Sequence, residues 1–352
     1  MPTIDSANLE DLTAEIFERA GAPAAEARVV AELLVKADLM GLPSHGVLRI
    51  PQYVHDTTTG AIRPGAEMVI DQRRPTIHRV DGAWNFGQIA ATRAAEIAID
   101  AAVEHGMAGA SVRRVRHVGR VGAYTEMAAA RDCLALATCS GAGEGHWVAP
   151  FGGRKGRLGT NPISFAAPTG GLPIVMDFST SSLPEGKVRY LRDTGEKLPP
   201  DTLVDADGNL SLDPADLYTE SNEPAGAILP AGGSQGYKGY GLSLMCAVLS
   251  CMVGEPTWLE EGIESHANCM WIMVISLDSA MAADLFRDEM DKFVDYVLSS
   301  PPAAGSTGPM LPGQREFETM DRHLRDGVPV ADGVWEQVRR VAADLGCEVG
   351  EV

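Results

Sequence analysis

From residue 87 the chain alternates helix and strand patterns, and this alternation limits its fold more than any other feature. Residues 87–106, GQIAATRAAEIAIDAAVEHG, place apolar side chains at helical spacing and end on glycine. GASVRRV (109–115) reads as a short strand, VGAYTEMAAARD (121–132) as a helix and CLALATCS (133–140) as a strand. Further strands read at PISFAA (162–167), PIVMDF (173–178) and CMWIMVISL (269–277). The order indicates α/β architecture.

Both ends of the chain read as helical. Ser6 is placed to cap a helix carrying Leu9, Leu12, Ile16 and Phe17, which stops at Gly21. Pro23 opens a second, with Val29, Val30, Leu33, Leu34 and Ala37 on one stripe, ending at Gly41. Residues 239–254 are apolar on a wide face and predict a buried helix. Residues 279–299 predict an amphipathic helix, 299–313 a Pro- and Gly-rich loop, and 334–346 a last helix.

A chain of 352 residues is long enough for about two domains. Its formal net charge of −19 argues against a nucleic-acid backbone or an anionic membrane as partner, while a local cation can still hold a small anion. The opening MPTIDSANLEDLTAEIF lacks the basic and apolar regions of a signal peptide, and no apolar run reaches membrane-spanning length. Six cysteines, at 133, 139, 246, 251, 269 and 347, form no CxxC pair or finger spacing. They are expected as buried thiols in a reducing cytoplasm, with no metal site.

Neither GxGxxG after a strand nor GxxxxGK[ST] occurs. The Gly-rich GAGEG at 141–145 lacks the full fingerprint, and Glu144 would repel a pyrophosphate. A dinucleotide, if bound, is held by something other than the usual βαβ turn. Of the eight histidines, His55, His78, His105, His266 and His323 read as surface or structural. His146 is a weaker candidate than His45 and His117. His45 lies in PSHGVLRIPQY (43–53), just past a helix stop, near Arg49 and Tyr53; His117 lies between a strand end and a helix start. A guanidinium grips a carboxylate through two parallel hydrogen bonds, and a histidine passes a proton near neutral pH. Together they form the minimum kit for chemistry on a 2-oxo or 2-hydroxy acid. LGTNPISFAAP presents Thr160 and Asn161 before a strand, MDFSTSS puts Asp177 and hydroxyls at a strand end, and GYKGYGLSL puts Lys238 at a helix N-terminus. Each of these three could equally be a cap or a turn.

SHGVLRIPQY, RHVGRVGAY, APFGG with LGTNPISFAAP, MDFSTSS followed by GK, YKGYGL and LPGQREF occur in that order from about residue 8 to 347. In this the chain resembles the type-2 malate/L-lactate dehydrogenase family, the L-sulfolactate dehydrogenase-like oxidoreductases, and looks closest to bacterial 2-hydroxycarboxylate dehydrogenases. The resemblance implies a NAD(P)-dependent enzyme, usually a homodimer, in the cytoplasm. Its implied fold is a non-Rossmann nucleotide-binding α/β domain with a mixed sheet (76–299), plus a mainly helical domain from residues 1–75 and 300–352. His45 then looks like the proton donor, with Ser44 and Asp177 as relay partners and His117 as a second histidine. Arg49 and Tyr53 would hold the substrate carboxylate. Thr160, Asn161, Ser179, Thr180, Ser181, Lys238, Gly313, Gln314 and Arg315 would contact NAD or NADP, and no metal is implied.

The chain departs from the family pattern in places. Pro43 replaces an aspartate often found before Ser-His-Gly, Arg114 and Val115 replace an Asn-Ser pair, Ala247 replaces an acidic residue, and Gln314 stands where Glu is common. Arg114 and Arg116 add cations near the expected site, which would suit a dianionic acid or the extra phosphate of NADP. The expected reaction is hydride transfer between nicotinamide and C2 of a malate-, lactate- or sulfolactate-type acid. The alternatives are reduction of a cyclic 2-imino carboxylate, or a catalytically silent relative that binds a metabolite.

Overall fold

A computed structural model describes residues 1–142, 146–253 and 267–350. His266 and residues 143–145 of the Gly-rich turn lie outside the described residues. The chain runs β1 (Thr3–Ile4), α1 (Ser6–Arg19), α2 (Ala24–Leu39), α3 (Ile50–Thr58), β2 (Val69–Arg74), β3 (Ile77–Asp81), α4 (Gly87–His105), β4 (Met107–Val115), α5 (Gly122–Ala129) and β5 (Cys133–Gly141). It continues through β6 (Pro162–Ala167), β7 (Ile174–Ser179), α6 (Glu185–Thr194), β8 (Leu203–Val204), β9 (Leu210–Ser211), β10 (Ala227–Ile228) and α7 (Tyr237–Ala247). β11 (Asn268–Ser276), α8 (Ala283–Leu298), α9 (Gln314–Asp326), β12 (Val328–Pro329) and α10 (Asp332–Asp344) complete it.

Among the described residues the main sheet has seven strands, in the order β2-β3-β4-β11-β5-β6-β7. β3 and β4 are parallel and every other neighbouring pair is antiparallel, so the sheet is mixed. β11 reaches the centre from more than a hundred residues downstream, because its side chains are apolar on both faces: Met270, Ile272 and Val274 are fully buried and Trp271 nearly so. α4 lies across β3, β4 and β11 on a face of alanines (90, 91, 94, 95, 98 and 102), whose small side chains permit close packing on the sheet. A second core joins both chain ends. It gathers Leu9, Ile16, Phe17, Val30, Leu34, Ile50, Tyr53 and Phe86 with Val328, Trp335 and Val338.

Three local expectations are corrected. Asp5, not Ser6, caps α1, since its Oδ1 accepts the N–H groups of Ala7 and Asn8 at 3.0 and 3.1 Å. The apolar segment after residue 236 is α-helical only to Ala247 and continues as a π-helical turn, Val248–Met252. Nor is it buried all round. Cys246 and Ala247 face the interior, whereas Leu242, Leu244, Met245, Val248, Met252 and Val253 are exposed. The expected amphipathic helix forms as α8, with none of its residues buried.

The turn after α2 carries the first motif. Asp38, in the last turn of α2, is buried, and its Oδ2 accepts the Val47 N–H at 2.7 Å. A Cβ on Gly46 would stand 2.0 Å from Asp38 Oδ1, so only glycine allows the chain to pass over the carboxylate. Burial pushes the Asp38 carboxyl up to about 7 from 3.8, and the Val47 N–H offsets only part of this. Between those two values the folded chain holds a proton that the unfolded chain releases. That contribution to stability is fully present below about pH 4 and is lost as pH rises through about 7. Urea melts should therefore show Asp38→Asn gaining stability relative to wild type as pH rises from about 4 to 8. Gly46→Ala should lose roughly 1–3 kcal/mol or more at any pH, from overpacking against Asp38.

Candidate active site

Two short 3₁₀ turns, Pro43–His45 and Val47–Arg49, follow α2 and lead into α3. Pro51 falls in the first turn of α3, where its missing N–H costs nothing. His45, Arg49 and Tyr53 therefore sit on two successive turns and a helix rather than on one continuous face. The Ser44 hydroxyl is 3.0 Å from His45 Nδ1. Arg49 is braced by its own turn: Nε donates to the Ser44 carbonyl at 2.7 Å and Nη1 to Gln52 Oε1 at 3.0 Å.

His117 is delivered by the end of β4. There the register with β11 slips, Met270 facing Val112 and Asn268 facing Val115, and Arg114 takes φ +48°. Bulges of this kind re-aim a chain beside a site. The Asn268 side chain holds the redirected chain by accepting the Val118 N–H at 3.2 Å. Gly87, at the start of α4, lets the carbonyls of Arg116 and His117 approach; a Cβ there would lie 2.5 Å from both oxygens. The rings of His117 and His45 stack with centroids 5.5 Å apart and an interplanar angle of 25°.

The two histidines line a cleft of ≈ 670 Å³, a volume usual for a small-molecule site. Ser44, Arg49, Arg116, Ser140, Gly141, Thr160, Asn161 and Gly186 also line it. His146 and His55 reach the wall as well, so His55 is part of the cleft lining despite its polar helical context. Arg116 contributes a cation to the wall, but Arg114 does not; with Arg113 it pairs to Asp81, at 2.8 and 2.9 Å respectively. Burial, then Arg49 and Arg120, press His45 down to about 3. Burial, Arg49 and His45 hold His117 well below the usual imidazole range. Both rings are therefore neutral in the free protein at pH 7.

Tyr53 takes a different place from the one expected. It is buried behind His117, and its phenol oxygen lies 2.7 Å from His117 Nδ1 and 2.8 Å from Gln88 Nε2, so it is not open to a substrate carboxylate. Burial raises the phenol to about 12, so it stays protonated. Asp177 does not reach the His45–Ser44 pair as a relay partner would. Its Oδ2 accepts the Gly122 N–H at 2.7 Å and so holds the start of α5. Burial lifts this carboxyl to about 6 against the opposing pull of Arg120.

The expected cofactor residues divide into two groups. Thr160 and Asn161 face the cleft, and Asn161 is locked in place. Its amide donates to the Ser243 carbonyl and hydroxyl at 3.1 and 3.0 Å, and its Oδ1 accepts from Ser140 at 2.8 Å. Ser179, Thr180 and Ser181 use their hydroxyls on neighbouring carbonyls, those of Ser181, Thr160, Asn161 and Leu183, and shape the loop from behind. Lys238 is exposed at the start of α7, Gly313 caps α9 with φ +87°, Gln314 bonds to Glu318 at 2.8 Å, and Arg315 is exposed. None of Ser179–Ser181, Lys238 or Gly313–Arg315 lines the cleft.

Sequence reading missed Gln88, Arg120 and the ions around Arg120. Arg120 is buried, with Nη2 2.7 Å from Glu126, and Lys36 reaches the other oxygen of Glu126 at 2.8 Å. Gln88 left one signal, a lone amide beside the alanine face of α4. Arg120 left none, because the cluster around its partner Glu126 is completed by Lys36 from α2.

For a nicotinamide cofactor, the fit rests on shape and donor set. Gly141 and Gly186 present bare backbone to the cleft, and a Cβ on either would meet nothing closer than 3.7 Å, so a flat ring has room to lie against them. Ser140, Thr160 and Asn161 surround that surface with hydroxyls and an amide, groups that suit a carboxamide and ribose. Among the described residues no group of side chains is arranged to hold a metal ion.

Residues 4–339 match the family model for malate/L-lactate dehydrogenase. The chain is 32% identical to an L-lactate dehydrogenase of Cupriavidus necator, over 98% of this chain and 99% of the relative. It is 31% identical to a malate dehydrogenase of Pyrococcus abyssi, over 96% and 93%. Among solved structures it resembles the delta1-piperideine-2-carboxylate reductase of Pseudomonas syringae pvar. tomato, with TM-score 0.84 and 29% identity over 97% of this chain and 100% of that one. By sequence and by fold, the chain belongs to the malate/L-lactate dehydrogenase family and is a 2-hydroxy acid dehydrogenase.

Proposed function

We propose that the His45–His117 cleft interconverts a small 2-hydroxy acid and its 2-oxo acid, with His45 moving the hydroxyl proton and Arg49 binding the carboxylate. The observation that carries this reading is the convergence of Arg49, Ser44, His45 and His117 on one cleft. Nicotinamide, when bound, gives or takes the hydride at C2 of the acid. Ser140, Gly141, Thr160 and Asn161 would hold its ring end, and both NAD and NADP are candidates.

Arg49 is already held by Ser44 and Gln52 through Nε and Nη1, so it presents a fixed cation and little ordering is needed when the acid binds. Burial does most to keep a proton off His45, Arg49 and Arg120 add to it, and the bound carboxylate offsets one of those two cations. Binding of the 2-oxo acid therefore eases proton uptake by His45. The proton then passes to the oxygen that becomes the alcohol. In the reverse direction neutral His45 removes the hydroxyl proton, and the Ser44 hydroxyl at Nδ1 keeps its ring in place. Arg116 in the cleft wall favours an acid with a second anionic group, such as malate or sulfolactate.

We also propose that the working unit is a homodimer. The exposed apolar side of α7 and its π turn, together with Phe293 and Tyr296 on α8, form surfaces that a second copy would cover. The six cysteines are all free and buried, which supports a reducing, cytoplasmic setting. The shared core of residues from both chain ends supports treating residues 1–75 and 300–352 as one helical domain against 76–299. The structural likeness to a piperideine-2-carboxylate reductase favours a second reading, in which a cyclic 2-imino carboxylate occupies the same cleft.

An absorbance screen at about 340 nm, the reduced-nicotinamide band, tests the proposal with NADH and NADPH against malate-, lactate- and sulfolactate-type 2-oxo acids and piperideine-2-carboxylate. Turnover of a 2-oxo acid is expected; exclusive turnover of the imine would select the second reading, and none at all would reject both. His45→Ala should lower kcat by about 10²-fold or more. Arg49→Ala should mainly raise KM for the acid. Because the His45 of the free enzyme titrates well below 6.5, kcat/KM for reduction should climb as pH falls through the neutral range, whereas oxidation should hold steady above pH ~7.

A further inference from the structure

We propose that Gln88 and Tyr53 are positioning residues that decide which ring nitrogen of His117 carries its proton, and so make His117 a hydrogen-bond donor toward the cleft. The inference rests on the reading that the reaction takes place in this cleft. Gln88 Nε2, Tyr53 OH and His117 Nδ1 form a chain with steps of 2.8 and 2.7 Å. An amide nitrogen donates and never accepts. The phenol oxygen therefore accepts from Gln88, and its own buried proton is paired when it points at His117 Nδ1, the other polar atom it touches. That makes Nδ1 an acceptor, and a neutral imidazole with an acceptor at Nδ1 bears its hydrogen on Nε2. Nε2 lies on the side of the ring away from Tyr53, and His117 lines the cleft.

The orientation of the Gln88 amide follows from its surroundings. Gln88 is 1% exposed, and its Oε1 is buried without a hydrogen-bond partner. Turning the amide over would satisfy Oε1 with the phenol but strand both amide hydrogens in the interior. Buried donors left unpaired are rarer in proteins than under-satisfied carbonyl oxygens. The amide thus stands with nitrogen toward Tyr53. Its place is fixed by α4, whose first turn packs under the Arg116–His117 backbone at Gly87.

The result is a division of labour between two stacked rings. His45 carries the moving proton. His117 stays neutral and donates from Nε2 to the oxygen on C2, where negative charge grows as hydride arrives. A neutral imidazole suits this task, because a donor that does not ionise leaves no second acid beside His45. Tyr53 also packs near Phe17 and Phe86, with ring centroids 6.2 Å from each, so the relay is anchored in the helical core.

The test is nitrogen NMR of the histidine-labelled protein, with the His117 signals assigned by their loss in His117→Asn, run beside steady-state kinetics. Wild type should show His117 protonated at Nε2. Gln88→Glu supplies an acceptor in place of the donor, so the chain should reverse and the proton should move to Nδ1. Tyr53→Phe keeps the ring packing but removes the link, and should give a mixture of the two forms. In both variants kcat should fall roughly tenfold or more while the cofactor KM changes less than about twofold. If Gln88→Glu does not fold, Gln88→Met and Tyr53→Phe carry the same test. A wild-type proton on Nδ1, or unchanged kcat in Tyr53→Phe and Gln88→Met, overturns the proposal. Nε2 protonation in a wild-type protein that reduces no 2-oxo acid would leave the relay standing and reject the assigned reaction instead.

Discussion

The architecture of the site depends on one buried carboxylate. Asp38 takes the Val47 N–H from above, and the absence of a side chain on Gly46 lets the backbone sit directly on it. The turns that carry Ser44, His45 and Arg49 radiate from that point. The Asp38 backbone carbonyl also meets His323 Nδ1 at 3.2 Å, so α9, near the C-terminal end of the chain, touches the base of a turn near the N-terminal end. The arrangement is costly in itself, since a buried carboxyl without a cation prefers its proton. Its contribution is positional, and the gain in free energy comes from the apolar core around it.

Charge is distributed unevenly in this molecule. The chain carries a formal −19, yet Arg49 and Arg116 line the cleft and Arg120 acts on His45 and Asp177 from nearby. Arg120 and Lys36 share Glu126, and Asp177 also feels Arg120, so these neighbouring charges largely compensate one another. Surface acidity is screened within about 10 Å at ordinary salt, whereas charges lining a half-dry cleft are screened far less. An anionic substrate therefore meets a local field opposite in sign to that of the whole protein. Burial first, and this field second, keep both histidines unprotonated in the free protein.

What could be read from sequence follows the range of the interactions. The helices at both ends and the α/β alternation were legible, because periodicity is a property of neighbours. Ser44, His45, Arg49 and His117 were legible as candidates because their chemistry is uncommon in short turns, and the structure gathers them in one cleft. Tyr53 was misplaced, since a phenol four residues past an arginine looks like a substrate contact until Gln88, thirty-five residues on, is found against it. Asp177 was misplaced for the same reason, its partner being the backbone of Gly122. The hydroxyls of Ser179–Ser181 resemble a phosphate cradle in one dimension, but in three they serve their own loop. The contacts of Tyr53 and Asp177 join distant segments, which no local pattern encodes.

The central position of β11 bears on how the protein is made. β4 and β5 are consecutive strands in the sequence, yet they never pair; each bonds to an opposite side of β11. Until residue 276 has left the ribosome, a nascent chain holds two half-sheets with a gap between them, and the facing edges are unpaired. Such edges recruit other strands readily, so this interval is when the growing polypeptide is most exposed to mispairing and most in need of a chaperone.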